Sequence, residues 1–567
     1  MLRRCVHFSV PFFGQSAAPR AVNEPFKAFL PGSEESKNLA AALRTADAES
    51  GAANVIPCVV NGVRFTPGKS LQREVPCNNK QTLHSYHHAD ASLAENAVTA
   101  SKQSAKAWSQ LPFEDRAGVL LRAAQLLTKK YRYEMMAATM LNQSKNVFQA
   151  EIDCIGEAAD FLRFNVEYAE RMYKEQPISP SQSYWNRVEY RPLEGFVLSL
   201  SPFNFTAIAA NLATAPILMG NTVVWKPSDN SLLSSYLFFR ILEEAGMPPG
   251  VVNFLPCAAD VASSCLTKHR DLSAVAFTGS TRTFNAIFRD VGTNIDSYKT
   301  YPRLTGETGG KNFHLVHPSA DMTTVAAQTV RSAFEYQGQK CSACSRLYVP
   351  ASAWHRLKSA LADASQQLPM GRVTDFKTMV GAVIDEAAFN KTRRYLDMAK
   401  TDGNHTFVAG GDAQGSHGWF VPPTIVQVKA ADSPLMREEI FAPVLGVYVY
   451  PDDRPGYWDN ILELVDTATP YGLTGAVFCR DFAAQNQAMT ALRHTAGNLY
   501  INDKSTGAIV GQQPFGGGRM SGTNDKPGSP QFLHRFVSTR TVKTALEAIP
   551  QISYPHQLPF TLSCDGV

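Results

Sequence analysis

The segment FEYQGQKCSACSR, residues 334–346, places two thiols three residues apart, Cys341 and Cys344. Such a pair can be a redox couple, half of a metal site, or one nucleophile beside a bystander. A thioredoxin-type pair opens the helix after the first strand of a small βαβ unit, whereas this one lies past the midpoint of the chain. A structural zinc site wants four ligands, commonly from two such pairs, and no second pair follows. The other cluster of ligand types, Cys77, His84, His87 and His88, does not supply two pairs, so no metal is expected. A thiolate stabilised by cations or aligned N–H groups is a strong nucleophile. Cys341 follows Gly338-Gln339-Lys340, a turn able to present its sulfur into a cleft. Cys344 leads into the apolar SRLYVP and reads as a small buried hydrophobe. Spacing alone favours one nucleophile, at 341. Upstream, Glu307 sits between glycines in TGETGG, where a carboxylate can reach a neighbouring site as a base.

Two further signals concern phosphate. The dinucleotide fingerprint Gly-x-Gly-x-x-Gly is missing, but AFTGSTRTF offers a strand, Gly279-Ser280, and then a helix start. A helix start presents free N–H groups and the positive end of a dipole, which suits a pyrophosphate. VVWKPSD adds Lys226 at the end of another strand, with Ser228 and Asp229 as cap candidates.

These residues need a scaffold. Leu120, Ala124, Leu127 and Tyr131 recur at helical spacing, as do Ile155, Ala159, Leu162, Val166 and Ala169, so residues 91–175 read as helices with one buried stripe each. After them come short apolar runs, GFVLSLSP, NTVVWKPS, VVNFLP and LSAVAFTG, with the helix NSLLSSYLFFRILEEAG among them. A second alternating block runs from KNFHLVH to GNLYIND. Strands alternating with helices predict an α/β fold with mostly parallel sheets, which bind ligands at the carboxyl ends of their strands. YWNRVEYRP alternates apolar and charged residues and predicts a projecting strand of the kind that mediates subunit contact.

Composition narrows the class. The chain has 567 residues, 44% hydrophobic and 18% charged, with a net charge of +4 and no run of five basic residues. That suits a large globular protein and argues against nucleic acid. Ten irregularly spaced cysteines suit a reducing compartment rather than a disulfide framework. The first acid is Glu24, after Arg3, Arg4 and Arg20, so residues 1–23 read as a mitochondrial transit segment. The uncharged stretch from Gly195 to Trp225 is long enough to span a bilayer, but Asn204, Asn211 and Asn221 and two prolines read better as buried strands around a helix.

Taken in order, SPFNF, VVWKPSD, FTGS, LTGETGGKNF, GQKC, EEIFAPV and PFGG resemble the aldehyde dehydrogenase superfamily over roughly residues 60 to 545. The resemblance implies an aldehyde dehydrogenase-like α/β fold with two parallel-sheet domains and a small β oligomerisation flap. The NAD-binding domain would take residues 24–177, 193–307 and 509–533, the catalytic domain 308–508, and the flap 178–192 and 534–567. It implies Cys341 as nucleophile, Glu307 as general base and Asn204 as oxyanion donor. It also implies NAD as cofactor, held by Ser201, Lys226, Gly279, Ser280, Glu439 and Phe441. The longer strings PRLTGETGGKNFHLVH and INDKSTGAIVGQQPFGGGRMSGTNDKPG resemble members that oxidise L-glutamate γ-semialdehyde to glutamate in proline breakdown. Phe205 and Phe515 would then sandwich the aliphatic chain, and Ser342, Gly507 and Ala508 would take the α-carboxylate. Two positions depart from the pattern: Ala442 replaces a common glycine, and Ala508 replaces a frequent serine. A homodimer or larger assembly in the mitochondrial matrix is implied, with no nucleic acid and no membrane span. A succinate-semialdehyde enzyme, a catalytically silent scaffold and a thiol-redox protein are the competing readings.

Overall fold

The computed structural model describes residues 17–179 and 183–560. Residues 1–16 of the expected transit segment, and 180–182 and 561–567 of the expected flap, lie outside the described residues.

Two seven-stranded sheets organise the chain. The first has the order Arg303–Glu307, Leu272–Thr278, Phe196–Leu200, Val223–Lys226, Val252–Phe254, Cys58–Val60, Val63–Phe65. Its first five strands are parallel, and the last two return antiparallel. The second has the order His405–Ala409, Thr424–Val428, Val444–Tyr450, Cys344–Pro350, Asn312–Val316, Thr474–Phe478, Asn498–Ile501, antiparallel only at His405–Ala409. Phe196, Val197 and Leu198 are all fully buried, as are Phe313 and Leu315. Continuous apolar runs, rather than alternating ones, are what parallel strands need when helices cover both faces.

Register aligns the strand ends. Leu200 pairs with Lys226, Phe277 with Leu200, and Thr278 with Glu307. Four carboxyl ends therefore open onto one level, where ligands of such sheets bind.

The helical stripe at Ile155, Ala159, Leu162, Val166 and Ala169 is buried throughout, as its spacing predicts. The structure differs at its start: Glu151–Glu157 is a π-helix, which then runs on as the α-helix Ala158–Lys174. An i→i+5 turn inserts a residue that a 3.6-residue pattern does not display. The strand expected at YWNRVEYRP is present as Tyr184–Pro192, paired antiparallel with Val537–Ala545 from Pro192↔Val537 to Tyr184↔Ala545.

Candidate active site

Two cavities share Cys341 and Thr278 in their walls. A pocket of about 260 Å³ holds Glu307, Phe205, Ser342, Gly507, Ala508 and Phe515 on its walls. A cleft of about 960 Å³ is lined by Ser201, Asn204, Lys226, Gly279, Ser280, Glu439 and Phe441. Every site residue expected from the sequence therefore falls on one cavity or the other, with the thiol between them.

The thiol is held by a constrained turn. Tyr336, Gln337 and Gly338 all adopt positive φ (52°, 56° and 66°). For Tyr and Gln this costs about 1–3 kcal/mol each, so surrounding bonds must hold it. Gln337 Nε2 donates to the carbonyls of Ser144 (2.9 Å) and Ala382 (2.8 Å). Gly338 is required because a Cβ there would collide with the Ala442 carbonyl. That carbonyl is common to any residue, so the contact does not explain the alanine at 442. Asn312 Nδ2 donates to the carbonyls of Cys341 (2.6 Å) and Ala343 (2.8 Å), while its Oδ1 accepts from Thr474 N–H (3.0 Å). Cys344, three residues on, is buried at the start of the strand Cys344–Pro350. The two thiols thus belong to different environments, and the cysteines among the described residues are all unpaired.

Electrostatics at the thiol oppose ionisation. Burial, then the carboxylates of Glu307, Glu439 and Glu157, push Cys341 up to about 12. Burial also drives Glu307 well above the carboxylate range, with Lys526 the chief opposing influence. Burial thus favours the protonated form of each, and either group can act as nucleophile or base only after losing that proton.

Asn204 lies just before the helix Thr206–Leu218. Its Nδ2 donates to the Gln339 carbonyl (3.1 Å), fixing one N–H and leaving the second available to the cleft. Phe205 is positioned from behind. The fully buried Lys145 places Nζ 3.9 Å from the Phe205 ring centroid and 4.6 Å from that of Tyr336. Its partner Asp153 accepts from Lys145 Nζ (2.7 Å) and from the N–H groups of Thr206 (3.0 Å) and Ala207 (2.9 Å). Asp153 therefore caps this helix from the π-turn, since no residue of its own does so.

In the large cleft, Ser280 caps the helix Thr281–Thr293, its side chain accepting from Thr283 N–H (3.1 Å). Ser201 Oγ accepts from Trp225 Nε1 (3.0 Å). Glu439 accepts from Gly310 N–H (2.9 Å), and a Cβ at Gly309 would collide with its carboxylate. Asp229 bonds His88 (2.9 Å), and Cys77 Sγ meets Ser144 Oγ (3.1 Å), so the histidine cluster is dispersed. Among the described residues no group of three or more His, Cys, Asp or Glu is placed to hold a metal ion.

The small pocket also carries residues that sequence reasoning did not select. Thr506 is one of them, its Oγ1 sharing a hydrogen bond of 2.7 Å with Oγ of the expected Ser342. Arg331, Lys340 and Lys504 gather beside them, and Lys504 Nζ donates to the Thr506 carbonyl (3.0 Å). Glu157 and Asp160 lie on the same wall, with burial pushing Glu157 up to about 8 and Asp160 up to about 6. Lys340 was legible, being the residue before Cys341. Phe26, 46% exposed at the rim, has no local signal.

A thiol, a buried carboxylate and an amide lie between a large cleft and a small pocket whose mainly apolar lining also carries charged side chains. A model of the aldehyde dehydrogenase family matches residues 65–542. The probable delta-1-pyrroline-5-carboxylate dehydrogenase of Schizosaccharomyces pombe is 45% identical over 96% of this chain and 99% of that protein. The human mitochondrial delta-1-pyrroline-5-carboxylate dehydrogenase is 46% identical over 95% of this chain and 94% of its own. A crystal structure of the Mycobacterium tuberculosis delta-pyrroline-5-carboxylate dehydrogenase bound with NAD superposes with a TM-score of 0.91 at 43% identity, covering 96% of this chain and 99% of that one. Fold and relatives agree, and the chain belongs to the aldehyde dehydrogenase family.

Proposed function

We propose that this chain is the NAD-dependent dehydrogenase that oxidises L-glutamate γ-semialdehyde, in equilibrium with 1-pyrroline-5-carboxylate, to L-glutamate in proline breakdown. The observation that carries the reading is the small pocket, which joins a thiol to a wall bearing both cations and a carboxylate. An amino acid that ends in an aldehyde presents the complementary groups. Ser342, Thr506 and the turn at Gly507 and Ala508, with Lys340 and Lys504 behind, suit its α-carboxylate. Glu157 suits its ammonium, whose charge would lower the carboxyl from its resting value. Phe205 and Phe515 flank the methylenes. A succinate semialdehyde would leave Glu157 unpaired.

The chemistry follows from the positions. Once Cys341 and Glu307 have each released their proton to solvent water, the thiolate sulfur adds to the aldehyde carbon and the carbonyl oxygen becomes the alkoxide of a thiohemiacetal. The free N–H of Asn204 and the Cys341 backbone N–H hold that alkoxide, a contribution of about 3–4 kcal/mol per donor. Bound NAD supplies the acceptor for the hydride that leaves this carbon. Glu307 then takes a proton from water, the water oxygen attacks the resulting thioester, and the C–S bond breaks to release glutamate and the thiolate. Serine at 508 would add a hydroxyl donor. Its replacement by alanine costs about 1 kcal/mol of carboxylate binding and leaves the reaction unchanged.

The cleft fits a dinucleotide. Its strand ends, the Ser280-capped helix and the buried Glu439 carboxylate suit a pyrophosphate and a ribose, with Ser201, Lys226, Gly279 and Phe441 completing the set. We assign the sheet Arg303–Glu307 to Val63–Phe65 to cofactor binding, the sheet from His405 to Ile501 to catalysis, and the paired strands Tyr184–Pro192 and Val537–Ala545 to assembly as a homodimer or larger. Mitochondrial relatives support a mitochondrial location, and we place the chain in the matrix. No helix among the described residues is long and apolar enough to cross a membrane.

The test is NADH formation from glutamate γ-semialdehyde, succinate semialdehyde and a simple aliphatic aldehyde, with NAD and NADP in parallel. Highest kcat/KM for the glutamate compound with NAD is expected; preference for succinate semialdehyde would refute the assignment.

A further inference from the structure

Residues 21–27 form neither helix nor strand and lie outside the region matched by the family, yet they are fastened along their length. Ala21 N–H donates to Glu167 (2.8 Å), and Glu24 N–H donates to Asp160 (2.7 Å). Asn23 Nδ2 donates to Asp160 (2.7 Å) and to the Val510 carbonyl (2.8 Å), and its Oδ1 accepts from Gln512 Nε2 (3.1 Å). The Glu24 carboxylate, 8% exposed, pairs with Arg132 (2.9 Å) and Arg163 (2.8 Å). Lys27 N–H donates to Glu151 (2.9 Å). Two of these anchors, Asp160 and Val510, are themselves walls of the small pocket.

The fastenings deliver one side chain to the pocket. Phe26 lines the pocket with Ile152 and with Phe148, which like Phe26 is about half exposed. Its ring rests on the bare backbone of Gly156, where a Cβ would collide with it, one residue before Glu157 in the π-turn. Neither a free tail nor a targeting remnant accounts for a buried carboxylate paired with two arginines and an aromatic ring seated on a glycine.

We propose that residues 21–27 are a strap that forms the outer wall of the substrate cavity, with Phe26 contacting the end of the substrate remote from the aldehyde and limiting its length. The substrate named here rests on the functional reading above. Because Cys341 holds the aldehyde at the inner end, a longer substrate must push outward against Phe26. The processed N-terminus must then lie ahead of Ala21, inside the 1–23 segment read as targeting.

The test uses full-length wild type, Phe26→Ala, Gly156→Ala and the double variant, with thermal melting and NAD binding as checks of folding. Glutamate γ-semialdehyde and its homologue one methylene longer are the substrates. Phe26→Ala is expected to raise KM for the shorter substrate about tenfold with kcat within about twofold, and to shift preference severalfold toward the longer one. Gly156→Ala is expected to impair turnover alone and to be rescued when Phe26 is also alanine. Unchanged preference between the two aldehydes, or equal losses on both, overturns the strap. Should Phe26→Ala fail to fold, Phe26→Leu is read by the same criteria. Wild type inactive on glutamate γ-semialdehyde refutes the functional reading instead, and the strap is then judged by the variant-to-wild-type ratio on whichever aldehyde the wild type oxidises.

Discussion

At the scale of single residues, the site stores its reactivity in protonated form. Cys341 is pushed up to about 12 and Glu307 well above its ordinary range, mainly by burial. Each works only after losing its proton, so activity rises as pH rises. We expect kcat/KM to climb steadily between about pH 6 and 9, and a flat profile would contradict resting protonation. In the proposed mechanism Glu307→Gln removes the base from the hydrolytic step alone. Steady-state turnover is expected to fall about 10²–10⁴-fold while one equivalent of NADH still forms in a rapid burst, which stopped-flow absorbance resolves. Cys341→Ala is expected to abolish turnover, whereas Cys344→Ser is expected to be mild, because Cys344 is buried at a strand start away from both cavities. Equal losses in the two would revive a redox pair. The turn that carries Cys341 was readable because it is encoded in adjacent letters. Glu157 was not, because one buried carboxylate in a helical pattern looks like any other until the pocket forms around it.

At the scale of elements, the π-turn Glu151–Glu157 and the helix start at Thr206 form one unit. Asp153 ties them together through Lys145, which in turn supports Phe205. Lys145→Met leaves Asp153 buried and facing only the helix N–H groups. We expect a stability loss of about 3–5 kcal/mol, read from the denaturant midpoint, together with a raised KM as Phe205 loosens. Asp153→Asn keeps a hydrogen-bonding cap but leaves Lys145 unpaired, and is expected to be comparably damaging. Helices and parallel strands were legible here from apolar spacing, since burial on both faces leaves a plain mark. The inserted turn was not, because one extra residue changes which side chains face inward without changing composition.

At the scale of the whole molecule, the paired strands Tyr184–Pro192 and Val537–Ala545 leave apolar residues uncovered on and just beyond them, Trp185 (57% exposed) on the first strand and Leu546 (60%) directly after the second. A two-stranded ribbon is marginal alone and gains stability by covering such a face. Light scattering is expected to report a dimer or larger for the full chain, and a smaller species when residues 546–567 are removed. An unchanged mass would separate the flap from assembly. Alternation announced the first strand, whereas its partner, some 350 residues away, was expected only through the family resemblance that joined 178–192 with 534–567.

The thiol standing in the walls of both cavities has a kinetic consequence. With cofactor in the cleft and aldehyde in the small pocket, as proposed, each would reach the thiol from its own cavity and neither would have to queue behind the other. A compound that plugs the smaller doorway should block oxidation while leaving dinucleotide affinity intact, giving inhibitors that compete with one reactant and ignore the other.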